Sequence, residues 1–148
     1  MPRTRPISGG RASKIQGSQT ERQSLSAHRR AKPENHFCEI MTNQITIIIA
    51  DDHPIVRKGL RETIEEDNRL QVVAEVNNGR EAIEAIEKFN PLVTILDVDM
   101  PVMNGFEAAR AIKSQKLKTE IIFLTMHRDE DLFNEAINLG AKGFVLKD

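Results

Sequence analysis

"LVTILDVDMPVMNG", Leu92 to Gly105, decides how the rest of the chain is read. An apolar, β-branched run stops at an acid, Asp97. A second acid, Asp99, follows two residues later, then Met-Pro, then Asn-Gly. So short an apolar run suits a strand buried on both faces, as in a parallel sheet. Proline and glycine then turn the chain into a loop. One acid after a buried strand is ordinarily a solvated loop residue. A reaction site becomes the better reading only if other segments bring partners to the same place.

Working outward, the same grammar repeats. "ITIIIA" (Ile45–Ala50) is a β-branched run followed by Asp51-Asp52-His53, and Pro54 suits the first position of a helix. Ile55, Val56, Leu60 and Ile64 then recur at helical spacing through Glu66. "LQVVAEV" (Leu70–Val76) predicts a second strand. Asn77-Asn78-Gly79 breaks it and opens a helix with Ala82, Ile83 and Ile86 inward, ended by Pro91. Leu92–Leu96 is the third strand and Phe106–Ser114 a helix with Ala109 and Ile112 on one face. "EIIFLT" (Glu120–Thr125), a helix over Asp129–Leu139 stopped by Gly140, and "GFVLK" (Gly143–Lys147) complete the series. Strands alternating with helices mean βα units around a parallel sheet with right-handed crossovers.

The chain of 148 residues is the size of one domain. Its net charge of -1 conceals a split: residues 1–44 carry 8 Lys/Arg against 3 Asp/Glu, residues 45–148 carry 13 against 19. Residues 1–44 show no hydrophobic period and read as a disordered basic extension. A functionally blank extension is the leading reading; a nucleic-acid-binding tail, against which no aromatics interleave the charges, and an Arg- and Ser-rich, acid-poor organelle transit peptide are the weaker ones. Met41, just before the first strand, is the candidate natural start. The single cysteine, Cys38, excludes an intrachain disulfide and a thiolate metal cluster and suits a reducing cytoplasm. No run of 18 apolar residues occurs, so no membrane span is expected.

In an open parallel sheet every strand delivers its carboxyl end to one rim, where ligands bind. Strand one brings Asp51 and Asp52, strand three Asp97, strand four Thr125 and strand five Lys147. Strand two brings only Asn77-Asn78-Gly79, which places it at an edge. Three clustered carboxylates repel by roughly 3 kcal/mol per pair at about 5 Å and an effective dielectric near 20. A hard divalent cation such as Mg2+ relieves this with oxygen ligands. The lysine and hydroxyl suit phosphoryl oxygens, and a carboxylate can itself become an aspartyl phosphate. Asp97, on a central strand, is the best placed. Met100 and Met103 read as loop packing, and His53 and His127 as surface residues with no transition-metal site indicated.

"IIIADDHPIVRKGL", "LDVDMPVMNG", "FLTMH" and "GAKGFVLKD" together resemble the receiver domain of two-component response regulators over residues 45–148. They are most similar to the NarL/FixJ type, which carries a LuxR-type helix-turn-helix output domain. The resemblance implies a flavodoxin-like, open five-stranded parallel sheet of strand order 2-1-3-4-5. It implies that Asp97 is the phosphoacceptor, that Asp51, Asp52 and Asp97 hold Mg2+, and that the Asp99 backbone carbonyl completes the metal shell. Thr125 and Lys147 then contact the phosphoryl group, and Thr125 and Phe144 form the switch. Phe144 has plain core packing as its equal alternative, and the bulk of Met126 is expected to restrict phosphodonors. The implied partners are a sensor histidine kinase or phosphotransfer protein and, on phosphorylation, a second copy of the chain. DNA is reached only through an output domain not present here.

Asp97-Val98-Asp99 is also similar to the Asp-x-Asp of haloacid-dehalogenase-type phosphatases. That motif follows the first strand of its fold, and position 101 here is proline. A degenerate, phosphate-free receiver is disfavoured by the full set of site residues. The family's fifth helix is absent from the sequence, so sheet residues such as Phe144 or Leu146 are expected to be partly bare.

Overall fold

The computed structural model describes residues 43–148. Apart from Asn43 and Gln44, the disordered extension expected over 1–44, with Cys38 and Met41, lies outside the described residues. The elements are β1 (Ile45–Ala50), α1 (Pro54–Ile64), β2 (Leu70–Val76), α2 (Gly79–Phe89), β3 (Val93–Asp97), α3 (Gly105–Ser114), β4 (Glu120–Thr125), α4 (Glu130–Asn138) and β5 (Gly143–Leu146). All neighbouring strands pair in parallel, in the order β2-β1-β3-β4-β5, so the flavodoxin-like sheet is as expected and β2 is at an edge. Four helices accompany the five strands among the described residues.

The helix ends follow from local chemistry. Asn78 accepts a hydrogen bond from the Glu81 amide at the start of α2, and Asn90 closes it in the left-handed region (φ 46°) before Pro91. Asn104 and Glu107 form a reciprocal capping box on α3. Asp129 caps α4 by accepting from the Asp131 amide, which makes it a cap rather than a helical residue.

The sheet divides the core. Ile48, Ala50, Leu96 and Phe123 face α2, α3 and α4, where Ala82, Ile86, Phe106, Ala109, Ile112 and Ala136 meet them. Ile47, Ile49, Val72, Ile95 and Leu124 face the other way, against Leu60 and Ile64 of α1. Ile55 does not join that stripe; it is 86% exposed, because the inward face of α1 runs through every fourth residue and Ile55 stands one position off it. Phe144 is half-buried on the α4 side, its ring edge-on to Phe133 at 5.7 Å. Phe144 and Leu146 are both partly exposed, but register pairs Val145 with Leu124, so the bare residue of β5 on the α1 side is Val145, 47% exposed, rather than either of them.

Two glycines let α3 and α2 approach the sheet rim. A Cβ on Gly105 would stand 2.3 Å from the Asp97 carbonyl oxygen, and one on Gly79 2.7 Å from that of Met103. Their amides bond Val98 O and Met103 O at 3.0 and 2.9 Å. Gly59, in contrast, has open space around its Cβ position within α1. Gly105→Ala should therefore lower unfolding stability by about 1–3 kcal/mol through overpacking. Gly59→Ala should raise it by roughly 0.5–1 kcal/mol. Denaturant midpoints of the two variants beside the parent check both signs.

Candidate functional site

The rim residues meet as the strand ends require. Asp51 is fully buried just after β1, its amide bonded to Val76 O (3.1 Å) and its carbonyl held by Arg57 Nη1 (2.5 Å). Asp97 is the last residue of β3 and buried, one residue later than the strand end expected, so it belongs to the sheet rather than to the loop. Thr125 ends β4, fully buried, and its carbonyl accepts the Lys147 amide at 2.7 Å. This bond carries β5 alongside β4 to its end and aims the Lys147 side chain inward. Lys147 Nζ lies 2.7 Å from Asp51 Oδ2 and 2.9 Å from Asp97 Oδ2.

Burial pushes the Asp97 carboxyl above the usual range; the Lys147 contact opposes this and the Asp51 charge adds to it. Burial would lower the Lys147 ammonium, but its bonds to Asp51 and Asp97 overcome that and raise it. The pocket thus holds one fixed positive charge among three acids.

Asp52 is partly exposed, beside His53. Asp51, Asp52, His53 and Asp97 present ligand atoms all within 4.8 Å of one another. Asp51 Oδ2, Asp52 Oδ1 and Asp97 Oδ2 are shielded from solvent without a well-directed hydrogen bond. Two of them, Asp51 Oδ2 and Asp97 Oδ2, are ion-paired with the Lys147 ammonium. Buried, under-coordinated carboxylate oxygens in one cluster fit a divalent cation.

Around this centre lie the other named residues. The Asp99 amide approaches Asp97 Oδ1 at 3.3 Å, and its exposed carboxylate meets His127 Nε2 at 2.8 Å. The His127 amide donates to Thr125 Oγ1 at 3.0 Å. Met126 is exposed beside a cavity of about 180 Å³ lined by His53, Val56, Met126 and Lys147. Phe144 sits apart from the acids, in the β5–α4 packing. Met100 is buried and Met103 partly so, both in loop and core packing.

The contacts of His53 and His127 went unforeseen, although both rings are largely exposed as expected. A signal for His53 existed: a residue wedged between an acidic pair and a helix-starting proline has to lie at the rim.

An acid-lined pocket with a lysine, at the carboxyl rim of a 2-1-3-4-5 parallel sheet, is the architecture of a signalling phosphoacceptor domain rather than a conventional enzyme. Residues 47–148 match the family model of the response regulator receiver domain, and the chain belongs to that family. It is 34% identical over 110 residues to the transcriptional regulatory protein DegU of Brevibacillus brevis, covering 74% of this chain and 47% of that protein. The chain spans about half the length of the curated relatives it matches. The solved receiver domain of the putative response regulator NarL from Mycobacterium tuberculosis superposes with a TM-score of 0.69 at 33% identity, over 72% of this chain and 86% of that one. RcsB of Salmonella enterica serovar Typhimurium, solved bound to promoter rprA with the phosphomimetic BeF3-, gives 0.66 at 33%, over 72% and 61%. The phosphatase reading is set aside, since the Asp-x-Asp follows the third strand. Among the described residues no helix is long and apolar enough to cross a membrane.

A raised Asp97 pKa means that the native state holds this proton more tightly than the unfolded chain. Stability therefore falls as pH rises from the unfolded carboxylate range through the raised native one. In EDTA, Asp97→Asn should unfold at higher denaturant than the parent near neutral pH. The gap should narrow as pH falls below the ordinary carboxylate range, which paired denaturation curves will show.

Proposed function

We propose that residues 45–148 act as the phosphoacceptor switch of a two-component phosphorelay, with Asp97 as the acceptor. The observation that carries this reading is Asp97 itself: a buried carboxylate at the end of the central strand, sharing one lysine with a second buried acid. Asp51, Asp52 and Asp97, with the Asp99 carbonyl, would hold Mg2+, which when bound neutralises charge on phosphoryl oxygens.

The chain's own residues do the rest. An Asp97 oxygen forms a bond to phosphorus while the donor's P–N bond (phosphohistidine) or P–O bond (acyl phosphate) breaks, the electron pair leaving with the donor. Lys147 exchanges a carboxylate partner for a phosphoryl oxygen. Thr125 Oγ1 accepts the His127 amide, which leaves its own proton free to donate to the phosphoryl group. Phe144, half-buried against Phe133, is the aromatic whose packing would report the change. A histidine kinase or phosphotransfer protein is the donor, the cytoplasm the compartment, and a second copy of the chain a partner once phosphorylated. The promoter-bound relative supports transcriptional output, reached through a separate DNA-binding domain.

Incubation of the chain with Mg2+ and acetyl phosphate should add one phosphoryl mass that hydroxylamine removes, and Asp97→Asn should abolish it. Label on that variant at the parental level would refute the assignment. Lys147→Ala should still bind Mg2+ yet lose the phosphorylation-dependent change, read as amide shifts around Thr125 and Phe144.

A further inference from the structure

The His53 ring is 65% exposed, yet it is not oriented at random. Its Nδ1 lies 3.1 Å from Asp51 Oδ1 and 3.0 Å from Asp52 Oδ1. The backbone fixes this. As the residue before Pro54, His53 is confined to extended geometry (φ -97°, ψ 111°). Its amide is tied to Asp51 Oδ1 at 2.8 Å. It occupies the N-cap of α1 but gives that helix no side-chain cap bond, so the imidazole is committed to the acids instead.

Neighbouring ligands in an octahedral shell, each about 2.1 Å from the ion, stand about 3.0 Å apart. His53 Nδ1 keeps that separation from both carboxylates. A protonated ring acting as counter-ion would give similar distances, but it accounts for the site less well. One Nδ1 hydrogen serves one oxygen: the contact to Asp51 Oδ1 has hydrogen-bond geometry, while Asp52 Oδ1, shielded from solvent, remains without a bond. Asp51 and Asp97 already have Lys147 as their positive partner. A neutral imidazole aiming its Nδ1 lone pair at an ion shared with Asp51, Asp52 and Asp97 leaves none of these groups unused.

We propose that His53 is a protein ligand of the metal in this pocket. Its nitrogen shifts selectivity from Mg2+ toward borderline divalent transition ions of the Mn2+, Co2+ and Ni2+ class, since imidazole suits these and contributes little to a hard oxygen-preferring cation. This rests on the reading that the three acids hold a divalent ion.

The test uses the full 148-residue chain, its His53→Ala and His53→Gln variants, and Asp52→Ala. Each is titrated calorimetrically with Mg2+ alone and with Co2+ alone at one pH. The ratio of Co2+ to Mg2+ affinity should fall at least about tenfold in both His53 variants, as for loss of a group that tunes a metal centre. Pulsed electron paramagnetic resonance of the Mn2+-loaded parent should show coupling to a nitrogen nucleus that disappears in His53→Gln. An unchanged ratio, a rise in affinity for both ions, or absence of nitrogen coupling in the parent would make His53 a counter-ion and overturn the proposal. Failure of the acid-site reading looks different: Asp52→Ala would then bind Mg2+ as the parent does.

Discussion

Three carboxylates share one end of a parallel sheet, and the remaining features of the site are responses to that. Parallel strands cannot avoid the convergence, because each presents its carboxyl end to the same rim. Among the described residues the opposing charge is Lys147, held against Asp51 and Asp97 by the backbone bond from its own amide to the Thr125 carbonyl. One lysine cannot balance three acids. Asp97 therefore remains harder to ionise than a free carboxylate, with burial as the main cause. Under the proposed function, a cation shared by the three acids would offset this excess of negative charge.

The loop after β3 shows a second constraint. Val102 lies at φ 68°, in a region that a β-branched residue rarely enters, and the Met103 amide bonds the Pro101 carbonyl across it at 2.7 Å. This is a strained three-residue turn, of the order of 1–3 kcal/mol. It brings the chain back so that the Met103 carbonyl meets the Gly79 amide and the Gly105 amide meets the Val98 carbonyl. Those two anchors lock the loop to α2 and to the end of β3. These bonds hold Val102 in its strained geometry from both sides of the turn.

Strand and helix identities were legible because apolar runs and caps are local. "ITIIIA" and "EIIFLT" have their observed bounds, and Asn78 announces the helix it caps, whereas Asn104 read as loop. The acid, hydroxyl and lysine positions were legible because topology alone carries them to one rim. What failed depended on a choice of face or on side-chain direction. Ile55 satisfied helical spacing as well as Val56 did, and only packing chose between them. Phe144 and Leu146 were expected on the uncovered face where Val145 stands, because the face of β5 depends on its register with β4. The bond between His127 and Asp99 joins loops 28 residues apart, which no local pattern encodes.

That last bond ties the rim residues into one unit. The His127 ring is held by Asp99 on the β3–α3 loop while its amide is held by the hydroxyl of Thr125 on β4. The Thr125 carbonyl in turn fixes Lys147, whose ammonium returns to Asp97. The circuit begins at Asp99 just after β3, passes through the end of β4 and the residue after β5, and closes on Asp97, the last residue of β3. In the proposed switch a phosphoryl group on Asp97 would draw on Lys147 and on the free proton of Thr125, so it would act on two members of the circuit at once. The exposed His127–Asp99 pair, holding by surface contact alone, is its weakest member. A change at the buried acid would therefore emerge first at the β4–α4 loop, the part of the rim that solvent and partners can reach.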